Sequence, residues 1–270
     1  MSDGLGRVKP VAERSQTVPS GATIPDDSDD GAGGPVGLPA YIAESHEPRC
    51  TFESTLPWRS WKDVPPASQC PDWIKERGVF VEIFAGSEAP LTMTMRTRGI
   101  VCLPPIELRP GVEWFEGADV FDHIETVRDY VKEGILRLVH LGTECCTFSA
   151  ARRWDGKGPP PIRCRRTLEP LPRCTTDERK AVLMGTRMAA LSFSLAWLCC
   201  AHNCYFTVEN PDSSMLWNMM SCVKLVERKK AWFVSFPMCA WGGMAHKETR
   251  LLTNWPAASG LNVKCPGQNW

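Results

Sequence analysis

The 270-residue sequence lacks the features that mark a membrane or secreted protein. It contains no run of about 18 apolar residues, so no membrane-spanning helix is expected. The N-terminal stretch MSDGLGRVKPVAERSQ has no apolar core, so we predict no secretory signal and an intracellular chain, either nuclear or cytoplasmic. The net charge is zero, because 31 basic side chains balance 31 acidic ones. Bulk charge alone therefore gives no reason to expect nucleic-acid binding.

Cysteine, in contrast, is abundant, with 13 residues. Without an export signal, reduced thiols are expected rather than disulfides. The densest cluster combines three thiols with an imidazole and could hold zinc: Cys199, Cys200, His202 and Cys204. The sequence has no C-x-x-C pair, however, and adjacent cysteines on a helix point in different directions. We therefore predict no metal site, with zinc at this cluster as the alternative.

The first 45 residues differ in composition from the rest of the chain. They hold seven acidic and three basic side chains, and glycine, proline, serine and alanine fill much of the remainder. Such a stretch buries too little apolar surface to offset the entropy of ordering it. We expect a disordered acidic tail over residues 1–45 and a folded domain over residues 46–270 whose net charge is +4.

Apolar runs that alternate with helical patterns predict an α/β domain. Strands are expected over residues 79–84, 100–103, 118–121, 136–141, 205–208, 231–236 and 249–253. Helices are expected over residues 90–98, 122–133, 176–201 and 213–228, with a shorter one through 70–75. In the longest helix, Met184, Met188 and Leu191 recur at helical spacing and predict a core stripe. This alternation implies a Rossmann-like, mostly parallel sheet covered on both faces.

Three short motifs follow predicted strands, where ligands bind in sheets of this kind. Phe84-Ala85-Gly86-Ser87 follows the first strand, and its glycine lets the backbone approach a ligand. Glu107 follows the second and is placed to accept ribose hydroxyls. Glu209-Asn210 follows the strand at 205–208, where a carboxylate can act as an acid or orient a base. Each has a structural alternative: a plain βα turn, a solvated carboxylate or a turn-capping glutamate.

Cys145 and Cys146 follow the strand at 136–141, in the stretch HLGTECCTFSAARRW. A thiol in a turn after a buried strand can face a cleft and act as a nucleophile, although most cysteines are simply buried. The neighbouring Glu144 is expected to raise the pKa of Cys145. Residues 151–180 carry nine basic and four acidic side chains, and a loop with a net charge of +5 favours a polyanionic substrate.

Taken in order, these motifs resemble those of the cytosine-5 DNA methyltransferase family. Phe84-Ala85-Gly86 matches that family's turn for S-adenosylmethionine, the Cys-Cys-Thr-Phe-Ser stretch at 145–149 resembles its nucleophile loop, and Glu209-Asn210-Pro211 resembles its Glu-Asn pair. Residues 238–254 are similar to the hairpin that follows in phage-like members. The resemblance covers roughly residues 79–254. It implies a Rossmann-like class I methyltransferase fold, with a mostly parallel sheet and an antiparallel closing hairpin.

The resemblance implies a covalent reaction on DNA. Cys145, not Cys146, stands at the nucleophile position and would add to C6 of a flipped-out cytosine, with Glu209 holding N3 and Asn210 beside it. S-adenosylmethionine would be held by the motif at the first strand and by the acidic residue after the second: Phe84, Ala85, Gly86, Ser87 and Glu107. DNA would be held by polar and basic side chains of the two loops: Ser149, Arg152, Arg153, Lys247 and Arg250.

The sequence also departs from the family pattern. Glu88 stands where the family usually has a second glycine, and Glu144 replaces the proline before the nucleophile. Sixteen residues follow Asn254, so we expect the target-recognition domain to be absent. Two alternatives therefore accompany the DNA methyltransferase hypothesis. One is an RNA cytosine methyltransferase that uses the same chemistry, and the other is a catalytically degenerate Rossmann-like domain that binds nucleic acid or a protein partner.

Overall fold

The computed structural model of the chain describes residues 57–107, 118–152, 158–241 and 247–265. The predicted tail, residues 1–45, and its boundary with the domain lie outside these ranges, as does Arg153.

A five-stranded sheet forms the centre of the domain. Its strands are β1 (Val79–Ile83), β2 (Leu136–Leu141), β3 (Tyr205–Pro211), β4 (Trp232–Pro237) and β5 (Glu248–Thr253). Their spatial order is β1-β2-β3-β5-β4; β1, β2 and β3 are mutually parallel, and β5 is antiparallel to both of its neighbours. Four strands therefore share one direction and β4–β5 closes the sheet as an antiparallel pair. The predicted Rossmann-like sheet with a closing hairpin is confirmed.

Two of the predicted strands are not regular strands. Residues 100–103 follow the free edge of β1 but meet it only at isolated bridges, which pair Phe80 with Cys102 and Ile83 with Ile106. Pro104 and Pro105 interrupt this segment, because proline has no N–H to donate to a ladder. The strand predicted over 118–121 is wrong, since a helix begins at Val120.

The described residues form five α-helices around the sheet. They are α1 (Asp72–Arg77), α2 (Pro90–Thr97), α3 (Val120–Lys132), α4 (Thr176–Ala201) and α5 (Met220–Glu227). The helix predicted over 213–228 is divided into a 3₁₀ turn, Met215–Asn218, and α5. The backbone of Met219 between them is extended (φ −63°, ψ 133°), which breaks the helical path.

Helix α4 has both of its predicted ends. Its N-terminus carries a capping box in which the Thr175 hydroxyl accepts from the Glu178 N–H (3.2 Å) and the Glu178 carboxylate accepts from the Thr175 N–H (2.8 Å). By length and composition this helix could cross a membrane, but half of its most apolar window is buried inside the protein. It contacts β3 and α3 and supplies much of the core through Leu195, Ala196 and their neighbours.

Candidate active site

The carboxyl ends of β1, β2 and β3 meet at one edge of the sheet because these strands are parallel. The motifs that follow each strand therefore lie together. Phe84–Ser87 leaves β1, the loop of residues 142–149 (called the Cys145 loop below) leaves β2, and Glu209-Asn210 ends β3.

The turn after β1 is held by hydrogen bonds to the segment after Pro105. The N–H groups of Phe84 and Ala85 donate to the Ile106 carbonyl (2.8 and 3.2 Å), and the Gly86 N–H donates to Glu107 Oε2 (3.0 Å). Phe84 and Gly86 both have positive φ (59° and 68°), a conformation that glycine adopts without strain. The two predicted cofactor elements, Gly86 and Glu107, are thus in direct contact, while Ala85 is buried beneath them.

A cavity of about 730 Å³ opens beside this turn. Its apolar wall comes from α3, α4 and the β1 turn: Phe84, Ile106, Val120, Phe121, Met184 and Met188. Its polar wall contains predicted and unpredicted residues: Ser87, Glu107, Asp119, Glu144, Cys146 and Arg187. The volume lies within the range of small-molecule sites, roughly 300–1,000 Å³.

The charge of this cavity is predominantly negative. Three carboxylates line it, those of Glu107, Asp119 and Glu144, against the single guanidinium of Arg187, which lies 4.8 Å from the centre of the Phe121 ring. The formal balance of −2 favours a cationic ligand. It opposes a dinucleotide, whose pyrophosphate is negative and needs N–H groups or cations around it.

Sequence reasoning missed several of the cavity residues. Asp119 caps α3 by accepting from the Phe121 N–H (2.9 Å), and an aspartate before an apolar helix is a recognisable capping signal. Met184 and Met188 were predicted as core. Both line the cavity instead, and Met184 is 41% exposed.

The Cys145 loop places its two adjacent thiols in different surroundings. Cys146 is exposed and lines the cavity. Cys145 is half-buried and lies among charges at the end of β3. Burial raises the pKa of Cys145, Cys146 and Glu209 raise it further, and the Lys247 ammonium lowers it. These interactions bring together three of the predicted residues, Cys145, Glu209 and Lys247.

Glu209 and Lys247 form an ion pair across the end of the sheet. The Lys247 Nζ lies 3.4 Å from Glu209 Oε1, and both side chains are partly exposed. Lys247 precedes β5, which pairs with β3 through Glu209 and Leu251, so sheet pairing fixes this contact. A carboxylate, an ammonium and a thiol thus share one open face.

Asn210 lies beneath this face rather than on it. Its side chain is fully buried, and its Nδ2 donates to the Thr143 carbonyl (2.6 Å) and to the Glu209 carbonyl (3.1 Å). Its Oδ1 is buried without a hydrogen-bond partner. Asn210, predicted as catalytic, therefore ties the end of β3 to the Cys145 loop and is better described as a positioning residue.

Arg163 anchors the same loop from the other side. It is fully buried, its Nη2 donates to Thr147 Oγ1 (2.9 Å) and to the Val182 carbonyl (2.8 Å), and its guanidinium lies 3.8 Å from the centre of the Phe148 ring. Burial lowers the pKa of Arg163 to about 10, which leaves it charged at neutral pH. In the sequence, Arg163 is recognisable only as one of the basic residues of the loop over 151–180.

Other side chains in and beside the basic loop, residues 151–180, also form hydrogen bonds to groups within residues 146–174. Arg152 donates to the Cys146 carbonyl (2.9 Å) and to the Pro160 carbonyl (2.9 Å), and Ser149 Oγ accepts from the Ala151 N–H (3.1 Å). Arg179 donates to the carbonyls of Cys174 and Pro172. The predicted DNA contacts Ser149 and Arg152 therefore hold the loop that carries Cys145.

Comparisons with known proteins give no family for this chain. No protein-family model matches the chain, and no curated protein matches it. The solved structures include a distant match, the Dnmt2 methyltransferase of S. pombe. It is 12% identical, with a TM-score of 0.36, over 71% of this chain and 52% of that one. The chain thus spans about half the length of that protein, and residue roles rest on the geometry above.

Among the described residues, no group of three His, Cys, Asp or Glu side chains could hold a metal ion. The thiols of Cys199 and Cys204 are buried in the core, and Cys204 Sγ lies 3.4 Å from the Tyr205 carbonyl.

Proposed function

We propose that this chain transfers a methyl group from S-adenosylmethionine to C5 of cytosine in DNA through a covalent Cys145 adduct. The observation that carries the proposal is the arrangement around the Cys145 loop. Glu144 and Cys146 line the cavity, and Cys145, the residue between them in the chain, interacts with the charges of Glu209 and Lys247. One loop thus joins a small-molecule cavity to a candidate nucleophile.

The residues of the cavity fit S-adenosylmethionine in charge and shape. A sulfonium cation and an α-ammonium suit the excess of carboxylates, and the apolar wall of Phe84, Val120 and Phe121 suits an adenine ring. Glu107, whose Oε2 already accepts from Gly86, is the carboxylate placed for ribose hydroxyls. When bound, S-adenosylmethionine supplies an electrophilic methyl group.

The chain's own residues would carry the remaining steps. The Cys145 thiolate forms a bond to C6 of the cytosine, and the C5–C6 π electrons move toward C5 and the ring. Glu209 holds N3 and helps to stabilise the adduct. C5 would take the methyl group as S-adenosylhomocysteine leaves, and loss of the C5 proton to water would re-form the C5–C6 double bond and expel the Cys145 thiolate.

Lys247 serves this scheme through its charge. Because burial and Glu209 raise the pKa of Cys145, few molecules carry the thiolate at neutral pH without a nearby cation. The Lys247 ammonium lies 3.4 Å from Glu209 and lowers the pKa of Cys145, so it offsets part of that cost.

The same face admits RNA as an alternative substrate, because the covalent chemistry on cytosine does not depend on the sugar. The degenerate binding domain also stays an alternative, and the raised pKa of Cys145 is the observation that favours it.

Radiolabelled methyl transfer tests the proposal. Wild-type protein, Cys145→Ser and Cys146→Ser are incubated with labelled S-adenosylmethionine and cytosine-containing DNA or RNA, and label in 5-methylcytosine is counted. We expect transfer by the wild type and by Cys146→Ser but not by Cys145→Ser. Binding of S-adenosylmethionine without transfer to either nucleic acid would favour the degenerate domain.

A further inference from the structure

A second cavity, of about 330 Å³, is lined by none of the residues that line the first. We call it the Arg165 groove. Its wall includes Ala150, which follows the Cys145 loop, Arg165 from the basic loop, Asp212 and Ser213, which follow β3, and Arg250 from β5. Met215 and Trp217 add apolar surface to it.

The groove is fixed relative to Cys145 by main-chain bonds. The Met215 N–H, in the floor of the groove, donates to the Phe148 carbonyl of the Cys145 loop (2.9 Å). The Trp217 indole N–H donates to the Pro211 carbonyl at the end of β3 (3.0 Å). A ligand in the groove is therefore held at a set position relative to the nucleophile.

Within the groove, Asp212 and Arg250 form an ion pair. Asp212 Oδ1 accepts from Arg250 Nη2 (2.8 Å), from Arg250 Nε (2.9 Å) and from Ser235 Oγ (2.8 Å). The Arg250 guanidinium also lies 5.0 Å from the centre of the Phe233 ring, which fixes its plane. Because this pair is neutral overall, the net charge of the groove, +1, is that of Arg165.

Arg165 differs from three buried or bonded arginines of its loop in having free donors, and from Arg166 in lining the groove. Arg152, Arg163 and Arg179 direct their guanidinium groups at carbonyl oxygens of the protein. Arg165 is exposed, and within the part of the chain that the structure describes no hydrogen bond or ion pair engages its side chain. Its five N–H donors are therefore available in a groove that also offers the Ser213 hydroxyl.

The two cavities thus have opposite charge, −2 in the first and +1 in the groove. We infer that the Arg165 groove binds a backbone phosphate of the nucleic-acid substrate next to the target cytosine, with Arg165 supplying the charge. The inference rests on the proposed function, since it assigns the place where that substrate's backbone is held. A phosphodiester carries one negative charge, which matches the groove.

The test compares Arg165→Ala with Arg166→Ala, a change at the adjacent exposed arginine, which does not line the groove. Binding of a fluorescent single-stranded oligonucleotide with one cytosine is measured across a series of salt concentrations. Loss of one phosphate contact should lower the slope of log K against log salt by about 0.7 and weaken binding at low salt about fivefold. Arg166→Ala should retain the wild-type slope.

Two further measurements separate the possible failures. Calorimetry with S-adenosylmethionine should give the same affinity for wild type and Arg165→Ala. If wild type transfers methyl groups but Arg165→Ala binds the oligonucleotide as wild type does, the groove assignment is wrong and the proposed function stands. If wild type binds neither the oligonucleotide nor S-adenosylmethionine, the proposed function is wrong and the groove loses its ligand.

Inorganic phosphate distinguishes a backbone phosphate from a free anion. At matched ionic strength it should displace the oligonucleotide no better than chloride does. Arg165-dependent binding of inorganic phosphate, together with oligonucleotide binding that does not depend on Arg165, would overturn the assignment.

Discussion

Replacement of Gly86 by leucine should abolish binding of S-adenosylmethionine while leaving the fold intact. A Cβ built on Gly86 meets no atom within 4 Å, and the residue lines the larger cavity, so the new side chain would project into open space that the ligand needs. Because a leucine cannot leave the cavity without moving the turn, we expect a loss of affinity of at least about tenfold, or about 1.4 kcal/mol.

The cost to stability can be worked separately. Gly86 has a φ of +68°, where a side chain costs about 1–2 kcal/mol, and the reduced entropy of the unfolded chain returns about 0.4–1 kcal/mol. A net destabilisation of about 0–1.6 kcal/mol follows, which lowers the Tm by at most about 6 °C in a domain of this size.

Gly134 provides a matched control. It has nearly the same φ, +67°, and its added Cβ also meets nothing within 4 Å, but it lies at the end of α3 and does not line the cavity. Gly134→Leu should lower the Tm by a similar amount and leave ligand affinity unchanged. Calorimetric titration and thermal unfolding measure the two effects. Wild-type affinity in Gly86→Leu would refute the assignment of the cavity.

Two further predictions concern the Cys145 loop. Glu209→Gln should lower the pKa of Cys145, and Lys247→Met should raise it. Iodoacetamide should therefore alkylate Cys145 faster in the first variant and slower in the second at about pH 8, as followed by peptide mass spectrometry. Equal rates would mean that the two charges lie too far from Cys145 to change its pKa. Gly185→Ala should destabilise the fold by about 1–3 kcal/mol although alanine favours helices, because the added Cβ would lie 2.6 Å from a hydroxyl of that loop. Gly260→Ala, which meets no atom within 4 Å, is its control in denaturant unfolding, and equal stability of the two variants would contradict the packing described here.

The regular elements that the sequence predicted best are those with strong local signals. The strand at 136–141 is a nearly continuous apolar run, and α4 combines a long helical pattern with a capping box at Thr175. The predicted strands and helices were wrong where a single residue interrupts the apolar or helical pattern. Pro104 interrupts the segment beside β1, and the extended backbone of Met219 divides the helix predicted over 213–228.

The candidate site was predictable in its outline. Parallel strands end at one edge, so motifs after β1, β2 and β3 had to lie together. The direction of each thiol was not predictable from spacing alone. It depends on a loop held by Arg163, which lies far along the chain and whose burial no local pattern indicates.

The basic loop shows a second limit of sequence reasoning. A net charge of +5 over residues 151–180 predicts a polyanion site, but counting cannot tell which arginines are already occupied. Arg152, Arg163 and Arg179 each bond to a main-chain carbonyl of the loop, because a folded loop without regular structure leaves such acceptors unsatisfied. Arg165 keeps its donors available, and only the three-dimensional arrangement shows that it, and not Arg166, lines the groove.

Trapping of a covalent complex tests the central claim most directly. Wild-type protein, Cys145→Ser and Cys146→Ser are incubated with S-adenosylmethionine and a 5-fluorocytosine oligonucleotide, whose C5 fluorine cannot leave as a proton would, and the products are analysed by intact-mass spectrometry. We expect a stable protein–oligonucleotide adduct with the wild type and with Cys146→Ser, and none with Cys145→Ser. Absence of an adduct in the wild type, or its loss in Cys146→Ser alone, would contradict a covalent role for Cys145.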